Sequence, residues 1–134
     1  MSGRRVVVSG LGAVTPAGNT ASETWHSFVS GRSGVGLVTQ FDTTDYPVKI
    51  GGEVKHFDAS HVLSPREARN VGRFVQLAMV AAEEALTHAG LEVSSENAER
   101  VGVVLGSASG GLDLLLGQYD VLQAKGPRRV SPFY

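Results

Sequence analysis

Two short apolar runs with one long helical pattern between them constrain the fold more than any other feature of this chain. Arg4 to Ser9 carries Val6, Val7 and Val8 in succession, the pattern of a strand covered on both faces, and Gly10 and Gly12 end it. Val101 to Leu105 is a second such run. Between them Val71, Phe74, Val75, Ala78, Ala81, Ala82, Ala85 and Ala89 recur at the three-and-four spacing of a buried helical stripe that Gly90 stops. Arg73, Gln76, Glu83, Glu84 and Thr87 take the solvated face. The small-residue loop Gly106-Ser107-Ala108-Ser109-Gly110-Gly111 then leads into a helix over Leu112 to Ala124. Strand, long helix, strand, glycine loop and helix in that order predict an α/β fold with a mostly parallel sheet and right-handed crossovers.

Local signals fill in the remainder. Thr20-Ala21-Ser22-Glu23 fits a capping box, so a helix is expected over Ala21 to Ser30 with Gly31 as its stop and Trp25, Phe28 and Val29 packed in the core. Residues 31 to 63 are loop-rich, with one short strand around Val48 to Val54. Ser64-Pro65-Arg66-Glu67 is a second capping box, with proline at the first helical position, where its missing N–H costs nothing.

Composition narrows the chemistry. Cysteine is absent, which excludes disulfides, thiolate metal sites and a thiol nucleophile within these residues. Twelve basic against 13 acidic residues leave a net charge of −1, so no overall field draws the chain to nucleic acid or to an anionic membrane. No apolar stretch approaches the roughly 20 residues of a membrane span, and a cytoplasmic location is the expectation.

Several candidate sites can be weighed on pattern. Gly10-Leu11-Gly12-Ala13-Val14-Thr15 follows a strand as a dinucleotide fingerprint does. However, its third position is threonine, Pro16 interrupts the helix, and no acid stands about 20 residues on, so the segment reads as a structural turn. The Gly106 to Gly111 loop is the better ligand-lining candidate. It is neither a Walker loop nor a Gly-x-Ser-x-Gly elbow. His26, His56, His61 and His88 show no metal-ligand spacing, so no metal is expected. Arg66, Arg69 and Arg73 recur on one helical face, and Lys125, Arg128 and Arg129 form a second basic cluster. Either cluster reads as a solvated surface or as a dock for an acidic partner.

Longer motifs go further. Arg4-Arg5-Val6-Val7-Val8-Ser9-Gly10-Leu11-Gly12-Ala13-Val14-Thr15-Pro16 with Gly18-Asn19, Phe41-Asp42-Thr43-Thr44-Asp45-Tyr46-Pro47, Glu96-Asn97 through Gly106-Ser107, and Gly126-Pro127-Arg128-Arg129-Val130-Ser131-Pro132-Phe133 resemble, in register and in order, the β-ketoacyl-[acyl-carrier-protein] synthase II family. The resemblance implies a thiolase-like fold, of which residues 1–134 are the N-terminal portion of the first βαβαβ half. It also implies a homodimer when complete, and decarboxylative Claisen condensation with malonyl carrier protein in fatty acid biosynthesis, without a cofactor.

In that family a cysteine takes the acyl chain and two histidines assist decarboxylation, all further along the sequence than position 134. No catalytic residue is therefore assigned here, and the chain alone is expected to be inactive: a truncated chain, a cleaved product or one piece of a split enzyme, whose partners are acyl carrier protein and the missing C-terminal part. By the same resemblance Ser109 lines the acyl pocket, where isoleucine is often found. Phe133 and Tyr134 match a Ser-Pro-Phe-Phe segment near the acyl tunnel and dimer interface. Arg66, Arg69, Arg128 and Arg129 match basic positions that dock the carrier protein, while Asn70 departs from a position often basic. The competing expectation is a non-catalytic carrier-binding module of the same fold.

Overall fold

A computed structural model describes residues 3–132. The elements run α1 (Ala21–Val29), β1 (Val35–Leu37), β2 (Ile50–Gly52), α2 (Pro65–Asn70), α3 (Arg73–Ala89) and α4 (Leu112–Lys125), with short 3-10 turns at Ala98–Arg100 and Pro127–Arg129. They fall into two compact units, Met1–Asp58 with Val80–Glu92, and Ala59–Met79 with Val93–Tyr134.

In the first unit β1 and β2 pair antiparallel, Val35 opposite Gly52 and Leu37 opposite Ile50; β2 falls within the strand expected around Val48 to Val54, while β1, its partner, forms in the stretch read as loop. α1 starts where its cap lies: the Glu23 N–H donates to the Thr20 hydroxyl at 3.1 Å. Only half of the expected box forms, because Glu23 Oε2 accepts from the Asn19 N–H at 2.8 Å, one residue before the cap.

The face that α1 buries is not the one its apolar residues predict. Thr24 and Ser27 are buried, whereas Trp25 is 68% exposed and Phe28 and Val29 are similarly open. The cause is the Thr15–Gly18 turn. Ser27 Oγ donates to the Ala17 carbonyl at 2.8 Å, and the hydroxyls of Thr15 and Thr24 lie 2.9 Å apart, so hydrogen bonding orients the helix.

The glycines after Val8 are explained by α3. A methyl group on Gly10 would collide with the Ala85 carbonyl, and one on Gly12 with the Ala81 carbonyl, so this segment lies directly on the alanine-rich helix surface. The turn reading of Gly10 to Thr15 therefore has a physical basis in packing.

In the second unit α2 carries the full capping box. Ser64 Oγ accepts from the Glu67 N–H, and the Glu67 carboxylate accepts from the Ser64 N–H at 2.9 Å. Gln76, expected on the solvated face, instead donates from Nε2 to the Ala68 carbonyl at 2.9 Å and the Val71 carbonyl at 3.3 Å, satisfying acceptors that α2 leaves open at its end.

The α/β class holds as a mixture of helices and strands, but the parallel pairing does not form among the described residues. Val6 to Val8 and Val103 to Leu105 carry no ladder and stand in the open, Val6 at 93% and Val104 at 97% exposure. A strand exists only through hydrogen bonds to a neighbour, and neither run has one among the described residues. Burial is correspondingly sparse: among the described residues the buried apolar side chains are Val80 in the first unit and Ala59 and Leu63 in the second.

Candidate functional site

The Gly106–Gly111 loop passes the chain into α4. Gly111 takes a φ of 80°, in the left-handed region, at the position that caps the helix. Ser107 Oγ accepts from the Gly110 N–H at 3.0 Å and closes the loop on itself. The absence of side chains here has a specific cause, the ring of Phe74. A Cβ on Gly110 would lie 2.5 Å from Phe74 Cδ2, one on Gly111 3.1 Å from Cε1, and one on Gly72 2.9 Å from the same ring.

Ser109 lines an apolar cleft of about 430 Å³ with Phe74, Leu112, Leu114 and Leu115. A second cleft of about 310 Å³ is lined by Phe74, Val75, Ala78, Met79, Leu105 and Ser107. Both fall within the roughly 300–1,000 Å³ of small-molecule sites. Neither lining holds an acid, a base or a thiol, so these clefts offer binding surface for an apolar group rather than proton transfer or nucleophilic attack.

The predicted basic positions are exposed. Arg66 and Arg69 project from α2, and Arg128 and Arg129 from the 3-10 turn that follows α4. Among the described residues none of the four is in an ion pair. Ser109 and the Arg128–Arg129 pair stand at opposite ends of the same helix. Gln118, which no pattern singles out, accepts from the Ser131 N–H at 2.7 Å and so holds the segment after the arginines against α4. Phe133 and Tyr134 lie outside the described residues.

The first unit contains a polar cleft of about 350 Å³ lined by residues including Thr15, Asn19, Glu23, Glu53, Lys55 and His56. Its acids are already engaged. Glu53 Oε1 accepts from the Thr39 N–H at 2.8 Å and the Gln40 N–H at 3.0 Å, Oε2 accepts from the Thr39 hydroxyl, and Lys55 lies 3.8 Å away. The Thr39 N–H above all holds the Glu53 carboxyl below its ordinary value, against the opposing effect of desolvation.

Glu84, expected to be solvated, is a structural ligand of backbone. Its carboxylate accepts from the Ala13 N–H at 2.8 Å and from the Ala21 N–H at 2.9 Å, joining α3 to the glycine turn and to the first residue of α1. His88 Nδ1 accepts from the Leu11 N–H at 3.1 Å. Among the described residues no three His, Asp or Glu gather as a metal site would require, and no helix is long and apolar enough to cross a membrane.

Comparison with known proteins gives this arrangement a context. The family model described as Beta-ketoacyl synthase, N-terminal domain, matches residues 3–134. Proteins named 3-oxoacyl-[acyl-carrier-protein] synthase 2 are similar along the chain. The Vibrio harveyi protein is 44% identical over 134 residues, covering 100% of this chain and 32% of its own. The Synechocystis protein is 45% identical over 130 residues, covering 97% and 31%. The chain thus spans about a third of the length of the relatives it matches.

Two solved structures share the fold. The ishigamide ketosynthase/chain length factor superposes with a TM-score of 0.72 at 28% identity, covering 97% of this chain and 32% of that one. A ketosynthase bound to the hexaketide, in complex with its type II PKS acyl-carrier protein, superposes with a TM-score of 0.76 at 26% identity, covering 97% and 35%.

Proposed function

Since this chain belongs to the beta-ketoacyl synthase family through that family's N-terminal domain, we propose that it is the N-terminal part of a 3-oxoacyl-[acyl-carrier-protein] synthase II that elongates acyl chains. The observation that carries the reading is the 44% identity to such a synthase over 134 residues, without restriction to one motif.

In the reaction, a cysteine thiolate attacks the acyl thioester and releases the carrier thiol. Loss of CO₂ from malonyl carrier protein then gives a carbanion that attacks the acyl-cysteine, expels the thiolate and forms the 3-oxoacyl thioester. The chain holds no cysteine, so its share of this work is recognition. The cleft at Ser109 receives the acyl tail, with Phe133 and Tyr134 assigned to the same pocket. Arg66, Arg69, Arg128 and Arg129 dock the acidic carrier protein. Their exposure supports this role, as does the neighbouring fold that is complexed with a carrier protein. The nucleophile and the two histidines come from further polypeptide, and the complete enzyme is a cytoplasmic homodimer.

A condensation assay should show no elongation by the 134 residues alone, and elongation when they are supplied with the remaining part of a close relative. Elongation by the chain alone would overturn the reading. Carrier-protein binding should weaken with salt and fall about tenfold or more in Arg129→Glu, because an exposed charge that repels its partner costs association. The exposed arginines also fit a second reading, a non-catalytic carrier-binding module. That reading predicts the same binding but no elongation with any complement.

A further inference from the structure

We infer that Phe74 determines the acyl chain length this chain accepts, its ring forming the wall between the cleft at Ser109 and the cleft at Leu105 to Ser107. The inference rests on the reading of Ser109 as an acyl-pocket residue, and it adds a residue from a different element of the fold.

Phe74 lines both clefts. It is 39% exposed although it stands within the apolar stripe of α3, so part of its ring faces open space rather than protein. The ring also occupies the volume that Cβ atoms on Gly110 and Gly111 would fill. This contact fixes the backbone that follows Ser109. The loop closure reaches the second cleft as well, because Ser107, which lines it, accepts from the Gly110 N–H at 3.0 Å. Beyond the ring the second lining continues with Val75, Ala78 and Met79, which is apolar surface suited to further methylene groups.

An acyl tail entering past Ser109 therefore ends at Phe74. A smaller side chain there opens the second cleft to the same tail. Each further methylene accommodated tightens binding roughly fourfold.

The test measures binding of straight-chain saturated fatty acids, from hexanoate to stearate, by displacement of a fluorescent polyene fatty acid from the chain. The unaltered chain is expected to gain affinity with length up to a plateau. Phe74→Leu and Phe74→Ala should move that plateau to longer acids, continuing at roughly fourfold per methylene over several carbons. Ser109→Ile should move it to shorter ones. Circular dichroism melting identifies any variant that has lost its fold, and Phe74→Leu, the milder truncation, then decides the matter. If Ser109→Ile shifts the plateau and Phe74→Leu leaves it in place, the inference about Phe74 is wrong and the acyl pocket stands. If the unaltered chain shows no length dependence, the acyl-pocket reading and this inference fall together.

Discussion

Gly12 and Gly117 are the same residue type under opposite constraints. At Gly12 a methyl group would strike the Ala81 carbonyl, a backbone atom that cannot move without bending α3; at Gly117, inside α4, nothing lies within 4 Å of the added carbon. Gly12→Ala should therefore destabilise by about 3 kcal/mol, the upper end of overpacking costs, and Gly117→Ala should stabilise by about 0.5–1 kcal/mol. Urea unfolding of both variants checks this, and equal effects at the two sites would refute the packing argument. Residue identity alone reveals the glycines but not this difference. The same holds for Glu84 and Gln76. Glu84 binds N–H groups 63 and 71 positions away. Both side chains read as solvated because a helical pattern reports a face, not what approaches it. The reverse failure occurs at Trp25 and Phe28, where hydroxyls on the opposite face of α1 win the contact.

Elements defined by local chemistry are legible in the sequence, and those that need a distant partner are not. The caps at Thr20 and Ser64 place the starts of α1 and α2 because donor and acceptor lie three residues apart. Val6 to Val8 and Val101 to Leu105 have strand composition, yet pairing is a property of two segments and composition describes one. Hydrogen bonds to carboxylates also set the acid response of the chain. The side chain and N–H of Thr44 lower Asp42, the Thr39 N–H lowers Glu53, and the Ser64 side chain and N–H lower Glu67. Each carboxyl releases its proton more readily folded than unfolded, so folding favours the ionised form. Their contribution is complete above the ordinary values of 3.8 for Asp and 4.5 for Glu and is lost as pH falls through the lowered folded values. The urea midpoint should fall over that acidic window, and Glu53→Gln should flatten part of the decline. An unchanged slope in the variant would remove Glu53 from this account.

At the scale of the whole molecule the exposed valine runs dominate. Val6, Val7, Val8, Val103, Val104 and Leu105 present apolar side chains to solvent on backbone that joins no ladder among the described residues, a combination that invites strand addition. The chain should associate with rising concentration and bind a hydrophobic dye. Val7→Lys with Val104→Lys should suppress both in sedimentation velocity and fluorescence measurements, since charge on an open edge opposes pairing. A chain that sediments as a monomer at all concentrations would contradict this. In α4, by contrast, the consequence is one of distance. The helix begins beside Ser109, ends before Arg128, and its Gln118 holds the chain again at Ser131. At about 1.5 Å per residue its 14 residues make a ruler of about 21 Å, so a partner gripping the arginines finds the loop at a separation already measured out for it.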